Sequence, residues 1–300
     1  MTTVCAQDLD AAVAVPTAVQ PALRSTPATR GRRGSGIGFW CAAGWLALVT
    51  TSAAAASVLP LPDPDQTLVA PDEAPGTGHW LGTDDLGRDE LSRLVHAGQV
   101  SLTVGIASIV IALLGGLVLG LVAGYYRGWI DLLIGVVLDA LLSFPALIVF
   151  LAVVAFLGPG LVNITVAIGV LSVAPIARVV RTNTITVMNK EFVLAAQTLG
   201  MRPVRMMRRE VLPNVLHSAL VVALVGVGLA ILAEGSLSFF GLSVPPPRAT
   251  WGGMVNESRT SLETDPQLLV WPTLFIFLTV LSLNVLGERV GERGRDRGGR

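Results

Sequence analysis

Nearly charge-free apolar runs recur along the chain and predict its elements. A helix rises about 1.5 Å per residue, so roughly 20 apolar residues cross a hydrocarbon core of about 30 Å. Five runs reach this length, at residues 34–62, 94–126, 132–177, 211–233 and 266–287. The third is long enough for two crossings, and Gly158-Pro159-Gly160 interrupts it with a turn signal. We therefore predict six transmembrane helices, near 38–59, 101–124, 132–157, 161–180, 213–235 and 267–287.

Composition agrees with an all-α integral membrane protein. Hydrophobic residues make up 52% of the chain, charged residues 14%, and the mean hydropathy is +0.67, whereas soluble domains carry about 25% charged residues. The zero net charge argues against nucleic acid as a partner. The only lysine, Lys190, follows no glycine-rich phosphate loop, so the chain is not expected to bind ATP in that way. The scattered cysteines and histidines predict no metal site.

The distribution of basic residues predicts the orientation. With the N-terminus inside, the inner segments hold 17 of the 21 Lys and Arg residues, as the positive-inside rule requires. Both termini are then cytoplasmic. The first apolar run is interpreted as a retained anchor, the alternative being a secretory signal peptide. The predicted parts are a disordered tail at 1–36, the anchor at 37–60, an external segment at 61–98, a membrane domain at 99–287 and a basic tail at 288–300.

The cytoplasmic loop at 189–214 has the pattern of two short helices joined by a turn. An apolar face of the first helix is formed by Phe192, Ala195, Ala196 and Leu199. Gly200 stands where a left-handed helix cap is expected, and Pro203 where a second helix begins. Arg205 belongs to the basic flank of this second helix, and Pro213 is expected to close it. Such a compact knob is suited to dock into a groove of a partner, although a loop that only fixes topology is the simpler alternative.

Three ordered motifs, between about residues 79 and 287, resemble a known family. The loop carries Ala195-Ala196-x3-Gly200 and Val211-Leu212-Pro213, similar to the "EAA" coupling loop of permeases in binding-protein-dependent ABC importers. The segments from His79 to Leu94 and from Leu237 to Gly252 are similar to external segments of the six-helix dipeptide, oligopeptide and nickel permeases. The usual loop glutamate is replaced by Leu194, with Glu191 one turn earlier.

The resemblance implies a type I ABC importer transmembrane domain that acts as a transport subunit and not as an enzyme. Its expected partners are a homologous permease, two ATP-binding subunits that hold the ATP and magnesium, an extracytoplasmic substrate-binding protein, a peptide substrate and the lipid of a bacterial plasma membrane. Coupling to the ATPases is assigned to Glu191, Ala195, Ala196, Gly200, Arg205 and Pro213. Docking of the binding protein is assigned to segments 79–93 and 241–259, with Asp85, Arg88 and Trp251 as candidates. Nickel or another small solute is the alternative cargo.

Two intramembrane acids are further candidates for the translocation path or its gate. Asp139 lies inside the third predicted helix, where burial in lipid costs several kcal/mol, so it should face protein or a wet path. A buried acid satisfied by neighbouring hydroxyls is the alternative. Glu234 should reach the outer boundary, as an element of an outer gate. A proton-coupled secondary carrier that uses Asp139 and Glu234 is a second hypothesis. A membrane enzyme or scaffold is a third, but the convergent groups that an enzyme would need are absent from the sequence.

Overall fold

The computed structural model describes residues 36–67, 70–263 and 265–298, with side chains up to residue 292. The predicted tail at 1–36 therefore lies almost entirely outside the described residues. The described part is helical and contains no strand. Its helices are α1 Gly36–Ala54, α2 Glu90–Tyr126, α3 Gly128–Ser143, α4 Ala146–Leu157, α5 Leu161–Met188, α6 Glu191–Thr198, α7 Pro203–Met206, α8 Leu212–Phe239, α9 Trp251–Glu257 and α10 Gln267–Gly298, with a π-helical turn Met207–Val211 between α7 and α8.

The predicted all-α membrane fold is confirmed. Five of the described helical segments are long and apolar enough to cross a bilayer, and α3 with α4 makes a sixth span when the two are taken together. The predicted single helix at 132–157 is instead bent by 82° between α3 and α4. The cause is Pro145, because proline lacks an N–H and forces the preceding Phe144 into an extended conformation, with ψ 135°. Pro175, in contrast, lies within the continuous helix α5.

The two ends of the helical bundle are distinguished by short helices. We call them the α6 end and the α9 end. Helix α2 runs from the α9 end, where Arg93 contacts Glu257 of α9, to the α6 end, where Arg127 donates to Asn189. Helix α10 returns to the α6 end, since the backbone carbonyl of Val290 contacts His217 near the start of α8. Helix α1 has its last turns buried at the α9 end, so both ends of the described chain point toward the α6 end.

Several helices extend beyond the predicted spans. Helix α2 begins at Glu90 and not near residue 101, and α5 continues to Met188. Apolar runs mark only the part of a helix that crosses the hydrocarbon core. The helical hydrogen bonds continue into the polar sequence beyond it, until a cap ends the helix. At the start of α2 this cap is Asp89, whose carboxylate accepts the backbone N–H of Ser92 at 2.8 Å.

Helices α2 and α5 lie parallel and in close contact at the centre of the bundle. Three glycines of α2, spaced by four residues, face α5: Gly116, Gly120 and Gly124. A Cβ atom on Gly120 would lie 2.6 Å from the side chain of Val180 and 2.7 Å from the backbone oxygen of Ala177. The missing side chains therefore let the two backbones approach, as small residues do between membrane helices.

Candidate functional site

The knob between α5 and α8 has the helix cap that the sequence predicts. Gly200 has a φ of +74°, the left-handed conformation that glycine adopts most readily. Its N–H donates to the carbonyl of Gln197 at 2.9 Å, and the N–H of Met201 donates to Ala196 at 3.1 Å. This is the two-bond Schellman pattern, which ends α6 and fixes the direction in which the chain leaves it.

The predicted apolar face of α6 points away from the rest of the chain. Val193 is completely buried and anchors α6 to the core, whereas Leu199 is 87% exposed and Phe192 and Ala195 are exposed as well. The face lines an open groove that continues onto the turn and the second helix, with Ala196, Gly200, Met201, Arg202, Arg205 and Glu210. Glu191 is exposed in the first turn of α6. The knob thus presents apolar and basic side chains on one accessible surface.

Pro213 does not close the second helix, which corrects the prediction. Pro213 is the second residue of α8, and the chain is helical from Pro203 to Phe239. The π-helical turn before it allows this continuity: the N–H of Leu212 donates to the carbonyl of Met207, five residues earlier. The wider turn accommodates a residue that has no N–H to donate. The knob is consequently continuous with a membrane-spanning helix.

The extra residue of the π turn also shifts the apolar register. Met206, Val211 and Val215 are the buried positions, with a step of five and then of four residues. A regular α-helical step would place Val204 and Met207 on one face with Val211. The π turn instead brings Met206 to the core, and Val204 is exposed.

A network of ion pairs joins the start of α2 to α9. Arg93, 1% exposed, binds Glu257 of α9 and lies 3.3 Å from Asp84. Arg88 binds the same two acids, at 2.7 Å to Asp84 and 3.2 Å to Glu257. The side chain of Arg88 is thus engaged within the chain, while Asp85 is exposed beside it. Two segments that are distant in sequence form one rigid surface at the α9 end.

Trp251 lies in the interior of this surface. It is 1% exposed, and its indole N–H donates to the carbonyl of Leu94 at 3.0 Å. Gly98 of α2 leaves room for the ring, since a Cβ there would lie 3.0 Å from it. Trp251 therefore offers no exposed side chain to a docking partner and instead holds α9 against α2.

Glu234 is not the interfacial acid that the sequence predicts. It is completely buried, and its carboxylate accepts hydrogen bonds from Ser238 at 2.7 Å, Ser243 at 2.9 Å and Ser101 at 3.3 Å. Ser238 also contacts Thr250, which caps α9 by accepting the N–H of Gly253. The segment after α8 folds back over Glu234, so this carboxylate links α2, α8 and the start of α9.

Asp139 is paired with an arginine and not with hydroxyl groups. Its carboxylate accepts a hydrogen bond from Arg178 of α5 at 2.5 Å, with the two side chains 68% and 53% exposed. A second pair lies nearer the α6 end, where Arg181 of α5 donates through two nitrogens to both oxygens of Asp131. Both pairs line one cavity between α3 and α5. The cavity therefore combines two acids and two cations on neighbouring helices.

Comparison with known proteins decides the family. Residues 116–293 match the family model described as "Binding-protein-dependent transport system inner membrane component". The chain belongs to this family. It is a multi-pass permease component of a binding-protein-dependent importer, and membership in this family implies ATPase and binding-protein partners.

Relatives of this permease are transport proteins. It is 39% identical over 216 residues to the glutathione transport system permease GsiD of Pectobacterium atrosepticum, a match covering 72% of each chain. It is 40% identical over 216 residues to the dipeptide transport system permease DppC of Alkalihalophilus pseudofirmus, covering 72% of this chain and 71% of the relative.

Solved structures agree on the fold of the permease. A chain of the MetNI methionine ABC transporter in an inward-facing conformation matches 65% of this chain and 93% of its own length, with a TM-score of 0.55 and 15% identity. A chain of an amino acid ABC transporter determined with histidines matches 68% and 93%, with a TM-score of 0.53 and 17% identity. The permease thus has the fold of type I ABC importer membrane domains, as the resemblance implied.

The sequence identified the knob of the permease but missed most of its charge partners. Arg93 and Glu257 are separated by 164 positions, and no short-range pattern connects them. Asp131 and Arg181 lie on α3 and α5, the helices that also carry Asp139 and Arg178, and the sequence paired neither arginine with an acid. A helical pattern in the sequence does not show which of these helices pack against each other.

Proposed function

We propose that this permease imports peptides as one half of a translocation path, driven by ATP hydrolysis in two partner ATPases that bind the ATP and magnesium. A homologous permease forms the other half, and an extracytoplasmic binding protein delivers the substrate. The relatives support peptides over nickel as cargo, since they are named glutathione and dipeptide permeases. Membership in the importer family supports the ATP-driven mechanism over a proton-coupled carrier.

The observation that carries this proposal is the exposed knob. Its apolar and basic surface lies beside the bundle at the α6 end and is continuous with α8 through the π turn. A rigid knob of this kind transmits the motion of a docked partner directly to a spanning helix. The α6 end is then the cytoplasmic end, both termini are cytoplasmic, and the α9 end faces outward from a bacterial plasma membrane. Closure of the ATPases would turn the path from inward-facing to outward-facing.

Replacing Gly200 with valine tests the coupling role. A β-branched residue at a φ of +74° costs about 1–2 kcal/mol, which is too little to unfold a six-span protein but enough to re-aim α6 relative to α7. We expect normal insertion, weaker ATPase association and at least about a tenfold loss of uptake relative to ATP hydrolysis. Uptake and binding-protein-stimulated ATP hydrolysis are measured side by side in proteoliposomes.

Gly158→Val is a control that imposes at least as much backbone strain outside the knob. Gly158 has a φ of +81° and a ψ of 163°, a combination that essentially only glycine adopts, and it lies between α4 and α5 with no atom within 4 Å of a Cβ placed on it. We expect it to preserve the ratio of uptake to hydrolysis. Equal uncoupling in both variants, or none in Gly200→Val, would contradict the coupling role of the knob.

Cross-linking tests the orientation and the outer docking surface. With Cys5 and Cys41 replaced by serine, a cysteine at the exposed Asp85 should capture the binding protein, and one at the exposed Thr198 of α6 should capture an ATPase. The two positions lie at opposite ends of the bundle, so each is the control for the other. Capture in the reverse order would show that the assigned topology is inverted.

A further inference from the structure

We propose that Arg178 and Asp139 form a binding site in the translocation path for the two ionised ends of a zwitterionic substrate. Arg178 takes the carboxylate of the substrate, and Asp139 takes its ammonium group. The inference rests on the proposed import of peptides, which carry both charges. It assigns a role to a pair of side chains that the coupling and docking surfaces do not use.

The location of the pair requires a polar environment. Asp139 lies seven residues inside the apolar run that begins at residue 132, which is about 10 Å past its edge, and Arg178 contacts Asp139 at the same level. A charged side chain in hydrocarbon costs at least about 3 kcal/mol, yet both side chains are more than half exposed on this chain. The exposed sides of the pair must therefore face water or polar groups, as the wall of a path does.

The two arginine–carboxylate pairs differ in the number of hydrogen bonds and in exposure, which indicates a structural role for one pair and a binding role for the other. Arg181 and Asp131 are joined by two hydrogen bonds, and the side chain of Asp131 is only 18% exposed. Arg178 and Asp139 share a single bond, and neither side-chain charge has a second partner among the described residues. The first pair fixes α3 to α5. The second keeps free donor and acceptor positions on both partners.

A zwitterion can exchange with the second pair without leaving a charge unpaired. A guanidinium group can hold a carboxylate with two parallel hydrogen bonds, and the carboxylate of Asp139 can accept an ammonium group. Each ionic contact within the protein is replaced by one with the substrate, so entry into the site and departure from it both have a low electrostatic cost. The cavity continues past Gly128 and Gly135, which leave space beside the charges.

The test compares uptake of dialanine by complexes that carry Arg178→Gln, Asp139→Asn or the matched Arg181→Gln. We expect Arg178→Gln to lower uptake at least about tenfold, because even one lost charge-assisted hydrogen bond has an effect of that size. The effect of Asp139→Asn should be smaller. Thermal stability of the complex should stay normal in these two variants and fall in Arg181→Gln. Normal uptake by Arg178→Gln, or a loss that only follows reduced thermal stability, would overturn the binding role.

A second measurement detects the substrate at the site without relying on uptake. In the chain without native cysteines, Gly135→Cys places a thiol in the cavity one turn from Asp139, and Val58→Cys is an exposed control remote from it. Dialanine should slow modification of position 135, but not of position 58, by a methanethiosulfonate reagent. Uptake without protection contradicts the site, whereas protection without uptake contradicts the proposed function and supports the site.

Discussion

Arg93→Met should lower the free energy of unfolding by about 3 kcal/mol, the lower end of the usual cost of removing one partner from a buried ion pair, because the side chain of Glu257 is 40% exposed. Arg93 is buried and lies between Asp84 and Glu257. Within the described part of the chain, Arg88 would remain as the only cation for both acids. One negative charge would then be uncompensated. The melting temperature of the purified complex and the yield of assembled complex measure the effect.

Arg248→Met removes the same charge from an exposed position and serves as the control. Surface substitutions of this kind change stability by about 0.5 kcal/mol or less, so its complex should melt close to the wild type. Arg93→Lys should be intermediate, because an ammonium group keeps the charge but not the forked geometry that reaches both acids. Similar melting temperatures for Arg93→Met and Arg248→Met would show that the network at the α9 end contributes little to stability.

The apolar pattern predicted the spans because the bilayer imposes their length. Local chemistry predicted the cap at Gly200 equally well, because only neighbouring backbone groups decide whether a left-handed residue is needed there. The break at Pro145 also has a local cause, the missing N–H of proline, but the 82° angle depends on how α3 and α4 pack on other helices. Helix caps, which depend on one turn of backbone, and span lengths, which depend on the bilayer, can thus be predicted from sequence. The angles between helices cannot.

Glu234 shows why the rest could not be predicted. Counting residues along α8 places it near the boundary of the bilayer, where an acid is solvated. Its burial results from Ser243 and Thr250 folding back over the helix end, and nothing in the local pattern of α8 reports that return. Pro213 shows that a helix end is also difficult to predict from sequence. Proline by itself indicates that a helix ends, but here the backbone forms a π turn that keeps the helix continuous.

Gly120→Leu should have a similarly large effect by separating α2 from α5. Its Cβ would lie 2.6 Å from Val180 and 2.7 Å from the backbone oxygen of Ala177, and a backbone atom cannot move aside as a side chain can. The helices must move apart along the contact that Gly116 and Gly124 also create, which disrupts the packing that replaces a hydrophobic driving force within the bilayer. We expect a loss of about 3 kcal/mol or more, and little assembled complex in the membrane.

Gly44→Leu is the matched control, because a Cβ on Gly44 of α1 meets no atom within 4 Å. It adds the same apolar volume to a spanning helix and should leave the amount of complex and its melting temperature close to wild type. Gly120→Ala should be intermediate, since its Cβ meets Val180 and the backbone oxygen of Ala177 but carries no further atoms. If Gly120→Leu assembled as well as Gly44→Leu, α2 and α5 would have to be separated enough to admit a side chain, and the close packing at the centre of the fold would be wrong.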